Sequence, residues 1–171
     1  MADRVSLRYL EVPTPLGELT IIASDEGVVA TLSEQERASG GLERWEAAAG
    51  TSARRSPREL SPVRREVDRY FAGHLRTFAT PVDLRSVGEG FARRALEAVR
   101  TIPYGELWTY GDVADAAGSP RAGRAAGSAL RRCPVEIIVP CHRVVPAGRD
   151  LGGYGGHEER KRSLLRLEGA I

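Results

Sequence analysis

Lysine is almost missing from this chain of 171 residues: of 25 basic residues, 24 are arginine and only Lys161 is lysine. Cysteine is scarce too. Cys133 and Cys141 are too few for a disulfide framework, and two thiols kept in a reducing compartment point to chemistry at one of them. No apolar run approaches the roughly 20 residues of a membrane helix, so no membrane partner is expected. Residues 1–10 are broken by Asp3, Arg4 and Arg8, unlike a signal peptide, and the expected location is the cytoplasm. Histidine occurs three times, and residues 1–85 hold no cysteine and only His74. A metal site there is not expected, and nothing calls for a cofactor.

What is present suffices for folding. Hydrophobic residues make up 42% of the chain, enough for a core, which excludes wholesale disorder. The length fits one domain or two halves of about 85 residues. Net charge is +2, unevenly spread. Residues 1–85 carry 12 arginines against 13 acids, net −1, and residues 86–171 carry 13 basic residues against 10 acids, net +3. Arginine is the better fork for phosphate. An arginine- and alanine-rich genome explains the same composition.

In the first half, residues 7–23 hold two strand-like runs around a Pro-Thr-Pro-Leu-Gly turn, and residues 27–32 form a third. Together they predict a small antiparallel sheet. Residues 38–59 read as a loop with one helical turn around Leu42 to Ala49. Residues 62–73 space Val63, Val67, Tyr70 and Phe71 as a helix, with Pro62 at its start and Gly73 at its end. Residues 78–84 are extended.

The second half reads as mostly helical. Residues 89–101 put Phe91, Ala95, Leu96 and Val99 on one face, and Ile102-Pro103-Tyr104-Gly105 stops that helix. Thr109 is an N-cap and Asp112 completes a capping box. That helix runs to Ala117 and ends at Gly118. Ser119 then caps another, with Pro120 at its first position, continuing to Arg132. Helix, short glycine-containing turn, helix is the helix-turn-helix pattern. The second helix carries Ala122, Gly123, Ala125, Ala126, Gly127, Ser128 and Ala129, with Arg121, Arg124, Arg131 and Arg132 standing out of that smooth surface. Tight packing beneath solvated arginines and entry into a DNA groove explain this composition equally well.

Residues 135–139, Val-Glu-Ile-Ile-Val, read as a short buried strand leading to Pro140-Cys141-His142-Arg143-Val144. The thiolate is the nucleophile, and an ordinary thiol is only slightly ionised at pH 7. His142 can take its proton, through a water since neighbours on a strand rarely touch. Glu168 is the candidate to fix the histidine tautomer. Adjacency of Cys and His also fits a buried structural cysteine beside a surface histidine.

These segments read together are more specific. Pro140-Cys141-His142-Arg143-Val144, Gly152-Gly153-Tyr154, Arg160-Lys161 and Leu164-Leu165-Arg166-Leu167-Glu168-Gly169 closely resemble the O6-alkylguanine-DNA alkyltransferases. Ile102-Pro103-Tyr104-Gly105-Glu106 and Ala122-Gly123-Arg124-Ala125 resemble that family's helix-turn-helix. The resemblance is dense over residues 80–171 and covers residues 1–79 in outline.

The resemblance implies an α+β fold with two domains. Residues 1–85 would form an RNase H-like small antiparallel sheet with helices. Residues 86–171 would form a winged-helix-like domain with the helix-turn-helix. It implies a monomer that binds double-stranded DNA containing O6-alkylguanine, flips the base out and moves the alkyl group to Cys141 in one irreversible step. O4-alkylthymine would be a further substrate. Cys141 would be the nucleophile, His142 the base and Glu168 the orienting carboxylate. Arg124 would fill the vacated base position, Tyr110 would sit by the target phosphate, and Ala122, Ala125, Gly127 and Arg131 would meet the groove. Tyr154, Val144, Leu130, Val139 and Gly155 would line the guanine pocket.

The chain departs from that family in three places. Cys133 stands at the hinge where an Asn is usual, His157 follows Tyr154-Gly155-Gly156 where an apolar residue is common, and Phe91-Ala92 replaces a Phe-Gln pair. The departures leave a second reading, a sensor that binds alkylated DNA with weak or absent transfer.

Overall fold

The computed structural model describes residues 5–148 and 150–171. Asp3 and Arg4, used above to read the N-terminus, lie outside the described residues. The chain divides into two compact units, residues 1–83 and 84–171.

The first unit is built on a four-stranded sheet in the order β3-β2-β1-β4. Strands β1 (Leu7–Val12), β2 (Leu19–Ala23) and β3 (Val28–Leu32) run antiparallel in sequence order. The β1–β2 turn closes with Thr14 and Gly17 exchanging backbone hydrogen bonds at 3.1 and 3.2 Å. Both β2 and β3 are buried at every position. On one face Leu7, Ile22, Val29, Ala30, Leu32 and Leu42 form a cluster with Tyr9, Trp45 and Ala49 against it. Successive strand residues point to opposite faces, so Leu10, Val12 and Ile21 belong to the other face.

Three features of this unit differ from the sequence reading. Residues 38–59 are more ordered than a loop: the helical turn expected around Leu42 to Ala49 is the helix α2 (Gly41–Ala49), strand β4 (Ala53–Arg55) follows it, and α1 (Glu34–Ala38) precedes it. Ser33 and Glu36 cap α1 reciprocally, a capping box hidden in a run of charged residues. The sheet is also mixed rather than wholly antiparallel, because β4 pairs parallel to β1. The chain returns through two helices between β3 and β4, which supplies the crossover that a parallel pair requires. Helix α3 (Ser61–Phe71) buries Val63, Val67 and Tyr70 as expected. Its Glu66 accepts the backbone N–H groups of Ala79 and Thr80, holding the outgoing segment.

The second unit packs α4 (Phe91–Val99), α5 (Tyr110–Ala116), α6 (Gly123–Arg131) and α7 (Glu158–Leu167) around Leu96, Val99, Val113, Ala126, Ala129, Leu130, Leu164 and Leu165. Thr109 and Asp112 form the expected capping box on α5. Helix α6 starts later than expected. Residues 119–122 form a turn, with Ala122 N–H donating to Ser119 C=O at 2.9 Å. Pro120 therefore occupies the second place of a turn, which suits its fixed φ, rather than the first turn of a helix. Two short strands, β5 (Trp108–Thr109) and β6 (Val144–Val145), pair parallel and place the segment after Cys141 beside the start of α5.

Candidate active site

Residues 135–139 are a chain of tight turns, not the expected strand. Ile138 N–H donates to Glu136 C=O, and Val139 N–H to Val135 C=O, both at 3.0 Å. Ile137 sits between them at φ 75°, a conformation a β-branched residue adopts only under constraint. The hydrogen bond from Ile138 back to Glu136 closes a three-residue turn around Ile137 in its rarer, positive-φ form. Burial of Val135, Ile137, Ile138 and Val139 holds it in place. The next turn repeats the device with opposite sign: Cys141 N–H donates to Val139 C=O at 2.8 Å, and Pro140 has φ −80° and ψ 60°. Cys141, His142 and Arg143 then form a single 3-10 turn instead of a strand end. β-branched residues suggested an extended segment, but two successive three-residue turns fold it back.

Within that turn, all three side chains are buried. His142 Nε2 lies 2.8 Å from Glu168 Oε1. Arg143 forks onto the same carboxylate, Nε to Oε2 at 2.8 Å and Nη2 to Oε1 at 2.9 Å. Its third nitrogen, Nη1, donates to Ile102 C=O at 2.6 Å. Burial alone would raise the Glu168 pKa, but hydrogen bonds from His142 and Arg143 hold the carboxyl well below the usual carboxylate range. The carboxylate is thus ionised and accepts from Nε2–H, which leaves the lone pair of neutral His142 on Nδ1. Burial lowers the pKa of His142 against the opposing pull of Glu168. Its Nδ1 has no hydrogen-bond partner among the described residues.

Ile102-Pro103-Tyr104-Gly105 serves this cluster. Tyr104 Oη donates to Leu167 C=O at 3.0 Å, its ring lies under the Arg143 guanidinium, and Gly105 N–H points at Glu168 Oε2. Gly105 has φ 82°, and a Cβ there would stand 3.1 Å from Glu168 O. Glycine meets both demands. Arg143 and Tyr104 were not singled out from sequence. The signal for Arg143 was its place in the Pro-Cys-His-Arg-Val run.

Cys141 opens on a cavity of about 660 Å³. Tyr110, Arg124, Gly127, Leu130, Arg131, Tyr154 and Gly155 all border it, so the structure gathers these expected residues at one place. Val139 and Val144 are fully buried behind it. Ala125 is exposed on α6, and Ala122 precedes the helix as its N-cap residue. Helix α6 is packed on one side and open on the other. Ala126, Ala129 and Leu130 pack inward, while Arg121, Arg124, Ala125, Ser128 and Arg131 are exposed. Gly127 faces the Tyr110 ring, which a Cβ would touch at 3.7 Å.

The thiol is held neutral. Burial pushes the Cys141 pKa well up, and the nearby Cys133 thiol pushes the same way, as does the Glu136 carboxylate. Cys133, read from sequence as a hinge residue, thus lies close enough to act on the Cys141 thiol. Lys161, also missed from sequence, is buried with Nζ donating to Val144 C=O at 2.7 Å, and burial lowers its pKa to about 8. Gly152 (φ 71°) lets the loop close, since a Cβ there would come within 2.6 Å of Pro146.

A helix-turn-helix unit with a shielded thiol beneath its second helix, backed by a sealed His–Glu–Arg cluster, is the architecture of a nucleic-acid-directed protein that uses its own cysteine. The family described as 6-O-methylguanine DNA methyltransferase, DNA binding domain, matches residues 90–170, and its ribonuclease-like domain matches residues 7–84. The methylated-DNA–protein-cysteine methyltransferase of Mycobacterium tuberculosis is 40% identical over 162 residues, 95% of this chain and 92% of that protein. The constitutive enzyme of the same name from Bacillus subtilis is 36% identical over 161 residues, 94% of each chain. The crystal structure of M. tuberculosis OGT in complex with DNA superposes with a TM-score of 0.78 at 36% identity, covering 96% of this chain and 93% of that one. The chain belongs to the methylated-DNA–protein-cysteine methyltransferase family.

Proposed function

We propose that this protein repairs DNA by moving an alkyl group from O6-alkylguanine in duplex DNA onto Cys141, once per molecule. The observation that carries the reading is the Cys141 thiol at a cavity bordered by the exposed side of α6, with His142 and Glu168 locked behind it. A base cannot be attacked inside the stack, so the target is extruded into the cavity. Arg124 occupies the space it leaves, and Tyr110 stands by the target phosphate. Tyr154, Leu130 and Gly155 surround the extruded base, and the small residues of α6 let the helix come close to the groove.

The chemistry balances without a cofactor. The Cys141 proton passes through a water to His142 Nδ1, whose imidazolium Glu168 stabilises. The thiolate attacks the alkyl carbon, a C–S bond forms and the C–O6 bond breaks. The electron pair stays on the guanine, which takes up a proton and is restored. A thioether has no ready leaving group, so the protein is spent. In the resting state burial keeps the thiol protonated, which protects a single-use nucleophile from stray electrophiles. The reading further makes the protein a monomer in the cytoplasm, where Cys133 and Cys141 persist as free thiols.

Intact-mass measurement after incubation with an O6-methylguanine duplex tests this. The expected result is a gain of one methyl group, mapped to Cys141 and absent in Cys141→Ser, which still binds the duplex. Binding without any mass gain would instead make the protein a sensor of alkylated DNA. An adduct on Cys133 would overturn the acceptor assignment.

A further inference from the structure

Lys161 is the one lysine in a chain that places arginine at its 24 other basic positions. It is 1% exposed on α7 and borders the cavity onto which Cys141 opens. Both partners of Nζ are neutral carbonyl oxygens, Val144 at 2.7 Å and Gly153 at 3.5 Å. Taking an ammonium out of water is costly, and a carbonyl offsets that cost less well than a carboxylate does. A methionine would fill the same space more cheaply, so filling space does not account for the residue. Lysine supplies a compact head with three donors on a thin stem. The planar fork of arginine suits a flat carboxylate instead, as Arg143 shows on Glu168.

The two carbonyls lie on separate stretches of chain. Val144 follows the Cys141-His142-Arg143 turn and is fixed in β6 by pairing with β5. Gly153 precedes Tyr154 and Gly155, and all three border the cavity. Other hydrogen bonds of that second stretch are local. Gly152 N–H donates to Asp150 Oδ1 at 3.2 Å, Tyr154 N–H to Glu158 Oε1 at 3.5 Å, and His157 N–H to Tyr154 C=O at 2.9 Å. Gly152, Gly155 and Gly156 all have positive φ, at 71°, 59° and 87°, so the backbone itself gives this wall little stiffness. Lys161 ties it to β6. A Cβ on Gly152 would stand 2.6 Å from Pro146 and 3.9 Å from Lys161 Nζ, so the two stretches and the ammonium meet closely there.

We infer that Lys161 is a positioning residue for alkyl transfer. By joining Gly153 to Val144 it holds the wall that carries Tyr154 against the turn that carries Cys141, and so sets how tightly the extruded base is held beside the thiol. It acts through the wall rather than on the reacting atoms, by ordering the cavity before the base arrives. The inference rests on the alkyl-transfer reading of Cys141 and assigns that site a residue outside the Cys141, His142 and Glu168 set.

The test uses the full chain and free O6-benzylguanine, which enters the cavity without extrusion from a duplex. Alkylation of Cys141 is followed by intact mass against O6-benzylguanine concentration for the natural protein, Lys161→Met and Lys161→Gln. Methionine keeps the stem and loses every donor, whereas glutamine keeps N–H donors without the charge. In Lys161→Met the half-saturating concentration should rise about tenfold, as two lost hydrogen bonds imply, while the limiting rate falls by much less. Lys161→Gln should recover part of that loss. Amide hydrogen exchange gives a second readout: Gly152 to His157 should lose protection in Lys161→Met, with α5 and α6 unchanged. A lower limiting rate at unchanged half-saturation would overturn the inference, since Lys161 would then act on the chemistry. Unchanged half-saturation and exchange in both variants would overturn it too, leaving Lys161 as filling. Loss of protection throughout the second unit would do the same, because Lys161 would then hold the fold rather than the wall. Absence of transfer to Cys141 in the natural protein would overturn the underlying reading and this inference with it.

Discussion

His142 Nε2 and Glu168 Oε1 stand 2.8 Å apart with both side chains closed to solvent, although 26 residues separate them in the chain. Arg143 reaches the same carboxylate with two nitrogens, so one acid balances a histidine and an arginine in the interior. A buried charge cluster of this kind stands or falls together, because removing one member strands the others.

The first prediction concerns that carboxylate. Glu168→Gln leaves the Arg143 guanidinium buried without its counter-charge and should destabilise the protein by about 3 kcal/mol or more. Urea unfolding measures this. Alkyl transfer at Cys141 should fall as well, since the amide offers one acceptor oxygen where His142 and Arg143 use two, and sets a donor against the cluster that orients His142. An unchanged unfolding midpoint would mean that packing alone holds the turn.

Stability should also fall on acidification, in two stages. The pKa of His142 is lowered from 6.5 and that of Glu168 from 4.5. Both groups therefore take up protons at higher pH in the unfolded chain than in the folded one, so lowering the pH favours unfolding. The stability linked to His142 is present above pH 6.5 and erodes below it, and that linked to Glu168 erodes below pH 4.5. Melting temperatures measured from pH 8 to about pH 2 should show both, and Glu168→Gln should lose the lower stage. A flat profile would refute the buried-neutral assignment of His142.

Arg124 is exposed on α6 at the rim of the cavity. If it fills the place of the extruded base, Arg124→Ala should slow repair of a duplex by at least tenfold, yet hardly change the reaction with free O6-benzylguanine, which needs no extrusion. Equal losses in both assays would make Arg124 a pocket residue.

Cys133 offers the sharpest chemical test. Its thiol raises the Cys141 pKa, adding to the larger effect of burial. A thiol is a weak donor, whereas an amide N–H stabilises a thiolate. Cys133→Asn should therefore raise the transfer rate at neutral pH, the melting temperature, or both, each added hydrogen bond contributing on the order of 1 kcal/mol. Losses in both would show that the turn has repacked around the smaller side chain.

Much of this was legible in the chain itself. The capping box at Thr109 and Asp112, the apolar spacing of α3 and α4, and the pairing of His142 with Glu168 follow from residue types at short or recognisable spacings. Capping and helical periodicity are local physics, complete within one or two turns of chain. What failed was decided by tertiary context. Residues 135–139 have the composition of a strand, yet only burial of Val135, Ile137 and Val139 against the rest of the unit can hold Ile137 at φ 75°. Strand β4 has three residues, two of them arginine, and becomes a strand only because β1 offers an open edge beside it. Glu136, Cys133 and Lys161 drew no notice as neighbours of the thiol, because the turns and α7 that carry them there are assembled by packing. The sequence by itself determined that a nucleophilic cysteine, its histidine and a distant carboxylate belong together. Only the folded chain decided which charges surround the sulfur, since the electric field at a buried atom is summed over everything that packing brings within a few ångströms of it.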